Sequence, residues 1–304
     1  MKTTKKTMNS KRRWQLVFCL CMIALPIVQF CIMYIAVNIR SIFMAFQAYD
    51  TVSGKWTIIG FDNFVQVVRN LSAGSILSTS VENSLKFYVI GLFVGTILAL
   101  IFSYYLFKKY FLTPLFKIML FLPSMIAVTV LVTLYQYFVD AALPDIFGIE
   151  GLLTKKDAIF PTIIFFNLWC GFGTNVIMYT NAMSGIDESI IEYSKLEGVK
   201  PLREMVSIVC PLIYPTITTF LVVGIAGLFT SQANLYIFYG SQAPKSLMTL
   251  GYYMFTKVVG ETASLSEYPY AAAMGILCTC IAAPITIFVR NMLDRLDPVN
   301  GGKQ

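Results

Sequence analysis

Histidine is absent from all 304 residues of this chain, and charged residues make up only 13% of it. Without an imidazole there is no Ser–His or Cys–His nucleophile pair and no histidine metal ligand. The sequence also lacks a Gly-x-Ser-x-Gly elbow, a His-Glu-x-x-His helix and a Gly-x-x-x-x-Gly-Lys-Ser/Thr phosphate loop; Gly54-Lys55 and Gly302-Lys303 stand outside any such pattern. No catalysis, resident cofactor or metal is therefore expected, and ATP cannot be held by that loop. The seven cysteines lie in apolar runs or at their edges. Cys19 and Cys21, like Cys278 and Cys280, are two apart and would point to different faces of a helix, which excludes a metal clamp, and the absence of paired cysteines in the outer loops excludes a disulfide framework. A charged fraction this far below the roughly 25% of soluble domains excludes an ordinary water-soluble fold.

What is present is apolar sequence, 57% of the chain, in long runs. About 20 apolar residues are needed for a helix to cross a bilayer. Six runs carry no Asp, Glu, Lys or Arg: Trp14 to Ile39, Phe87 to Phe107, Ile118 to Val139, Ala158 to Ile186, Met205 to Pro244 and Tyr268 to Val289. The fold class is therefore an all-α polytopic membrane protein. Residues 14–293 form its transmembrane domain, with spans about 14–39, 87–107, 118–139, 158–186, 205–230 and 268–291. The surplus of the fifth run, Ser231 to Pro244, is expected to re-enter the membrane or line the outer vestibule. The first run is longer than a signal-peptide core and leads into Arg40 without an Ala-x-Ala site, so it reads as a retained helix.

Basic residues mark the cytoplasmic side. Lys2, Lys5, Lys6, Lys11, Arg12 and Arg13 precede the first span, and Lys108, Lys109, Lys117, Lys195, Lys200, Arg203, Arg290, Arg295 and Lys303 fall in alternate connections. Both termini, tails 1–13 and 294–304, are thus expected in the cytoplasm, as is the connection 187–204. This topology accounts for the net charge of +7 and leaves no basic face for nucleic acid. Outside, Arg40 to Lys86 carries Phe43, Phe46, Tyr49, Trp56, Phe61 and Phe64 and is expected at the membrane interface or over the bundle mouth. Pro123 is expected to kink the third span.

Polar residues inside spans are costly and face the bundle or a wet cavity. Asn167, Trp169, Asn175, Tyr214, Thr218, Gln232, Asn234 and Tyr236 are the candidates for a solute pathway. Amides, hydroxyls and aromatic rings suit a neutral polyhydroxylated solute, and no charged residue in the runs offers a counter-ion or proton relay. Hydrogen bonding of these residues to one another across helices is the alternative. Gly171 and Gly173 read as close-packing residues.

Between the fourth and fifth runs lies the charged segment Asp187 to Glu204: a short helix ended by Gly198, a turn, and a second helix entered through Pro201. A surface knob of this kind on a membrane protein implies a soluble partner. Within it Glu192 is followed by Gly198 six positions on and Pro211 thirteen beyond, with Ile208 before the proline. That spacing resembles the EAA loop of binding-protein-dependent ABC importer permeases. Tyr193 and Ser194 stand where the family has alanines, and Cys210 where it has leucine. Gly60-Phe61-Asp62-Asn63-Phe64, Trp169-Cys170-Gly171-Phe172-Gly173, the run Tyr239 to Pro244 and Tyr270-Ala271-Ala272-Ala273 resemble elements of the carbohydrate, maltose-transporter-like branch.

The resemblance implies a permease subunit for a carbohydrate, with an oligosaccharide favoured, in a bacterial or archaeal cytoplasmic membrane. It implies as partners a second related permease, two ATP-binding ATPase subunits and an extracytoplasmic solute-binding protein. Glu192, Tyr193, Ser194, Glu197, Gly198, Pro201 and Pro211 would be the ATPase-coupling residues, and a β-branched residue at 198 would uncouple transport while leaving insertion intact. Another neutral solute, or an ATP-independent carrier or channel, are the alternatives.

Overall fold

The computed structural model describes residues 10–72, 74–260 and 263–298; the remainder of the basic start and of the C-terminal tail lies outside them. The chain divides into two compact units. One holds the described residues up to Val67 with Leu265–Ile276, and the other Val68–Ser264 with those from Leu277 on.

In the first unit a helix runs from Ser10–Gln29 through a π-helical turn, Phe30–Ala36, into Val37–Met44. Its large apolar side chains are exposed on every side, as expected where the surrounding medium is itself apolar. The aromatic segment that follows folds as an antiparallel hairpin, Gln47–Asp50 with Lys55–Ile58, in which Tyr49 faces Trp56. Its turn is built by Asp50, whose carboxylate accepts from the Val52 N–H at 2.9 Å and the Ser53 hydroxyl at 2.7 Å. Those two bonds hold the exposed Asp50 carboxyl below its ordinary range. The buried Asn63 donates to the carbonyls of Ala45 and Gln47, both at 2.8 Å. It thereby ties off the helix exit, which is the structural use of the Gly60 to Phe64 element.

In the second unit a helix of 32 residues, Ile76–Phe107, is capped by Ser75, which accepts from the Ser78 N–H at 3.0 Å. A tight turn with Lys109 and Leu112 at positive φ leads to Thr113–Met125. Here the fold departs from the kinked single span expected over 118–139. The helix stops at Met125, Ile126 and Ala127 are not helical, and a new helix runs from Val128 to Phe147. Pro123 lacks the N–H that would hold the final turn, and the Ala127 carbonyl starts the next helix by accepting from Val130 and Leu131. The 29-residue helix Lys156–Ser184 follows. Ser103 donates to the Val176 carbonyl at 2.8 Å, pinning it to the Ile76–Phe107 helix.

The fifth run is also divided. Pro201–Leu212 and Tyr214–Gly227 meet at Ile213 with a bend of 72°. Pro215 has no N–H to donate back toward Pro211, so the helical ladder cannot continue through this point. Beyond Gly227 come a short helix, Leu235–Tyr239, and Leu250–Val258, joined by a loop held by Tyr252. The fully buried Tyr252 hydroxyl accepts from the Ala243 N–H and donates to the Gly240 carbonyl. The last helix is Tyr268–Arg295. Among the described residues five helices are long and apolar enough to cross a membrane, or six if the bent pair is one span.

Two buried clusters hold the second unit. One gathers Leu131, Ile163, Phe166, Leu235, Phe238 and Tyr252. The other gathers Tyr104, Val176, Tyr179, Met183, Ile191 and Val209, and lies under the charged segment.

Candidate functional site

The charged segment folds as two helices at a turn. Asp187 caps the first, Glu188–Leu196, by accepting from the Ser189 N–H at 3.0 Å, and this backbone bond holds its exposed carboxyl below the ordinary range. Gly198 ends it at φ +68°, with its N–H on the Lys195 carbonyl and the Val199 N–H on Ser194. Pro201 opens the helix Pro201–Glu204, where its missing N–H costs nothing. A Cβ at 198 would meet no atom within 4 Å, so the demand for glycine is conformational. Gly198→Ala should therefore cost about 1–2 kcal/mol of local stability without disturbing the core, and a thermal unfolding scan against the unsubstituted protein checks it.

Helical spacing divides the segment into two faces. Ile191 and Ser194 point inward, Ser194 being 1% exposed, while Glu192, Tyr193, Glu197 and Pro201 are exposed. Ser194 is thus brought to the inner face, away from the surface formed by the other residues of the Glu192 to Pro201 set. Pro211 is half-buried in the short helix Cys210–Leu212. Sequence reasoning missed Leu196, 86% exposed, and Leu202, 71% exposed, which turn the outward face into an apolar patch ringed by charge. The signal was there: two leucines in a charged loop, out of phase with the buried Ile191.

The inward face has an ionic centre. Glu204 accepts from Lys108 Nζ at 2.7 Å and the Tyr104 hydroxyl at 3.1 Å on Oε1, and from the Ser194 hydroxyl at 3.0 Å on Oε2. The Lys108 and Glu204 side chains are only 12% and 3% exposed. Burial works to raise the Glu204 carboxyl. The hydrogen bonds from Lys108 and Ser194, the Lys108 charge and the Tyr104 hydroxyl outweigh it, so the group stays below the usual carboxylate range and ionised.

The pathway candidates separate. Asn167 and Asn175 line one cavity of ≈ 430 Å³ with Ser84, Tyr88, Tyr179 and Thr249, and no charged side chain lines it. Asn234 donates to Asn167 Oδ1 at 2.8 Å, while Asn167 donates to the Ile163 and Ala233 carbonyls. For this pair, bonding across elements is what the structure contains. Tyr214 and Thr218 line a different cavity, beside Arg290 and Asp294. Tyr214 donates to the Leu293 carbonyl at 3.1 Å and Thr218 to that of Pro215. Trp169 lies edge-on to Phe166 and Tyr236 edge-on to Phe255; neither these nor the half-buried Gln232 line the larger cavity. Ser84, Tyr88 and Thr249 were not identified from sequence, because Ser84 and Thr249 lie outside the uncharged runs and Tyr88 reads as one more apolar-run aromatic. Among the described residues no group of three or more Cys, Asp and Glu could hold a metal.

A family model described as binding-protein-dependent transport system inner membrane component matches residues 91–299. The probable ABC transporter permease protein YurN of Bacillus subtilis (strain 168) is 22% identical over 253 residues, 80% of this chain and 85% of that protein. The glucose import system permease protein GlcT of Saccharolobus solfataricus is 23% identical over the same shares of each chain. A solved structure of a bacterial ABC transporter involved in import of the acidic polysaccharide alginate superimposes with a TM-score of 0.76 at 21% identity, covering 94% of this chain and 96% of that one.

Proposed function

Because this chain belongs to the family of binding-protein-dependent transport system inner membrane components, we propose that it is one permease subunit of an ATP-driven carbohydrate importer, with an oligosaccharide as its cargo. The observation that carries the proposal is the outward face of the Asp187 to Glu204 segment, where Tyr193, Leu196 and Leu202 stand exposed among Glu192, Glu197 and Arg203. An apolar centre with a charged rim is the composition of a protein interface. Its occupant is an ATPase subunit, two copies serving this chain and a second, related permease. ATP is bound by those subunits, and this chain has no catalytic role. An extracytoplasmic binding protein delivers the solute. The chain sits in a bacterial or archaeal cytoplasmic membrane with both termini and the docking segment in the cytoplasm.

The cargo class rests on the cavity, whose polar groups are amides and hydroxyls with no charge to pair an ionic solute. The similarity to GlcT agrees with a sugar. A transporter of similar fold is involved in import of the acidic polysaccharide alginate, whereas the uncharged lining here argues for a neutral solute. Uptake of neutral oligosaccharides into cells carrying the whole importer tests this, with charged sugars as comparison. ATP-dependent uptake confined to neutral sugars is expected; uptake confined to anionic ones would refute the cargo assignment.

A further inference from the structure

Resting on the docking role just proposed, we infer that Glu204 is a positioning residue that carries movement of the docking segment into two of the helices that wall the cavity. Its carboxylate joins three parts of the fold: Ser194 of the docking helix, Tyr104 and Lys108 at the end of the Ile76–Phe107 helix, and its own helix at the start of the fifth run. Chain connectivity alone does not make this joint. The docking helix is linked to Pro201 through Gly198, whose left-handed backbone and empty surroundings leave a pivot. Ile191 and Met205 pack beneath, but apolar contact has no direction. Charge-assisted bonds to both carboxylate oxygens do.

The two routes leading from Glu204 end in the cavity. Along the Ile76–Phe107 helix lie Ser84, Phe87, Tyr88 and Gly91, one side of its lining. Along the fifth run, Glu204 is followed by a π-helical turn, Met205–Val209, and the 72° break at Ile213. Beyond the break Leu221, Val223, Gly224 and Gly227 line a second side. The docking segment, the Glu204 network and the end of the Ile76–Phe107 helix then move as one block, and Ile213 is the joint about which Tyr214–Gly227 changes its angle. Tyr88, whose hydroxyl donates to the Leu221 carbonyl at 3.2 Å, marks the contact that such a change makes or breaks.

The test uses the assembled importer in nanodiscs, comparing the unsubstituted chain with Glu204→Gln and with Lys108→Met/Glu204→Met. The double variant leaves neither charge buried alone, so it keeps the fold falsifiably intact. Three quantities are read: ATPase copurification, phosphate release, and the change in hydrogen exchange over 205–227 on trapping with ATP and vanadate. In both variants the ATPase stays bound and hydrolyses ATP, while the exchange change seen in the unsubstituted complex is lost over 214–227. A simple structural loss would not separate hydrolysis from movement. An exchange change equal to that of the unsubstituted complex overturns the inference, as does release of the ATPase from either variant, which would make the network part of the docking surface. Absence of any ATPase from the unsubstituted chain instead overturns the docking role on which the inference rests.

Discussion

Gly173→Val is expected to leave almost no folded protein. A Cβ at this position would lie 1.9 Å from the Leu120 carbonyl oxygen and 2.7 Å from its carbon, both backbone atoms of the Thr113–Met125 helix. A side chain can swing away from such a clash, but a backbone carbonyl within a helix cannot. The two helices must separate by more than an ångström, opening the packing on both sides of the contact. Overpacking a core costs about 1–3 kcal/mol when side chains can adjust, so this backbone collision should cost about 3 kcal/mol or more. Gly171 is the internal control, because a Cβ there meets nothing within 4 Å. Gly171→Ala should keep a normal monodisperse peak on size exclusion, and Gly173→Val should lose it. A normal peak for both would mean the helices are not in contact at this point.

Lys108→Met should destabilise the protein by a comparable amount. It leaves the Glu204 carboxylate, its side chain 3% exposed, without its cation. Breaking a buried pair from one side costs about 3–5 kcal/mol, because the remaining charge stays desolvated. Removing the carboxylate is milder, since lysine can extend its ammonium to solvent. The pH dependence separates this account from lost packing. A carboxyl depressed in the folded state gives stability that is present above its unfolded pKa and lost as pH falls through the folded one. In the unsubstituted chain that loss comes only below the usual carboxylate range. In Lys108→Met only the Ser194 and Tyr104 hydrogen bonds still oppose burial, the carboxyl titrates higher, and mild acid should recover part of the lost stability by neutralising it. Thermal unfolding across acidic pH measures this; a deficit independent of pH would assign the effect to packing.

The helical architecture was legible because a run without charge is a one-dimensional signal, and the sequence has long ones. The charged segment Asp187 to Glu204 was legible for the complementary reason, as charge between two such runs, punctuated by Gly198 and Pro201. What escaped were features set by partners far away in sequence. Glu204 looks like one more charge in a charged loop until Lys108, Tyr104 and Ser194 close around it. The break at Ile126–Ala127 lies beyond the proline that foretold a kink, and the hairpin at Gln47–Ile58 is too short to show against aromatic residues that also suit an interface. Asn167 and Asn234 illustrate the limit most plainly. Their residue type suited either solute or each other, and only their 2.8 Å bond distinguishes these uses. The resemblance grouped Glu192, Tyr193 and Ser194 as coupling residues, yet only the first two are exposed, and Ser194, one residue further, turns inward because the helix rotates about 100° per residue.

On the function proposed here, the outward face of the Glu188–Leu196 helix and its turn holds an ATPase. Affinity capture of this chain from detergent-solubilised membranes, beside a Glu192→Ala/Gly198→Val variant of equal yield, tests it most directly. Capture of an ATPase by the unsubstituted chain, and its loss from the variant, is the result predicted. Equal capture of no ATPase by both, with both proteins folded, would contradict the claim and leave a self-contained carrier as the better account of the same helices.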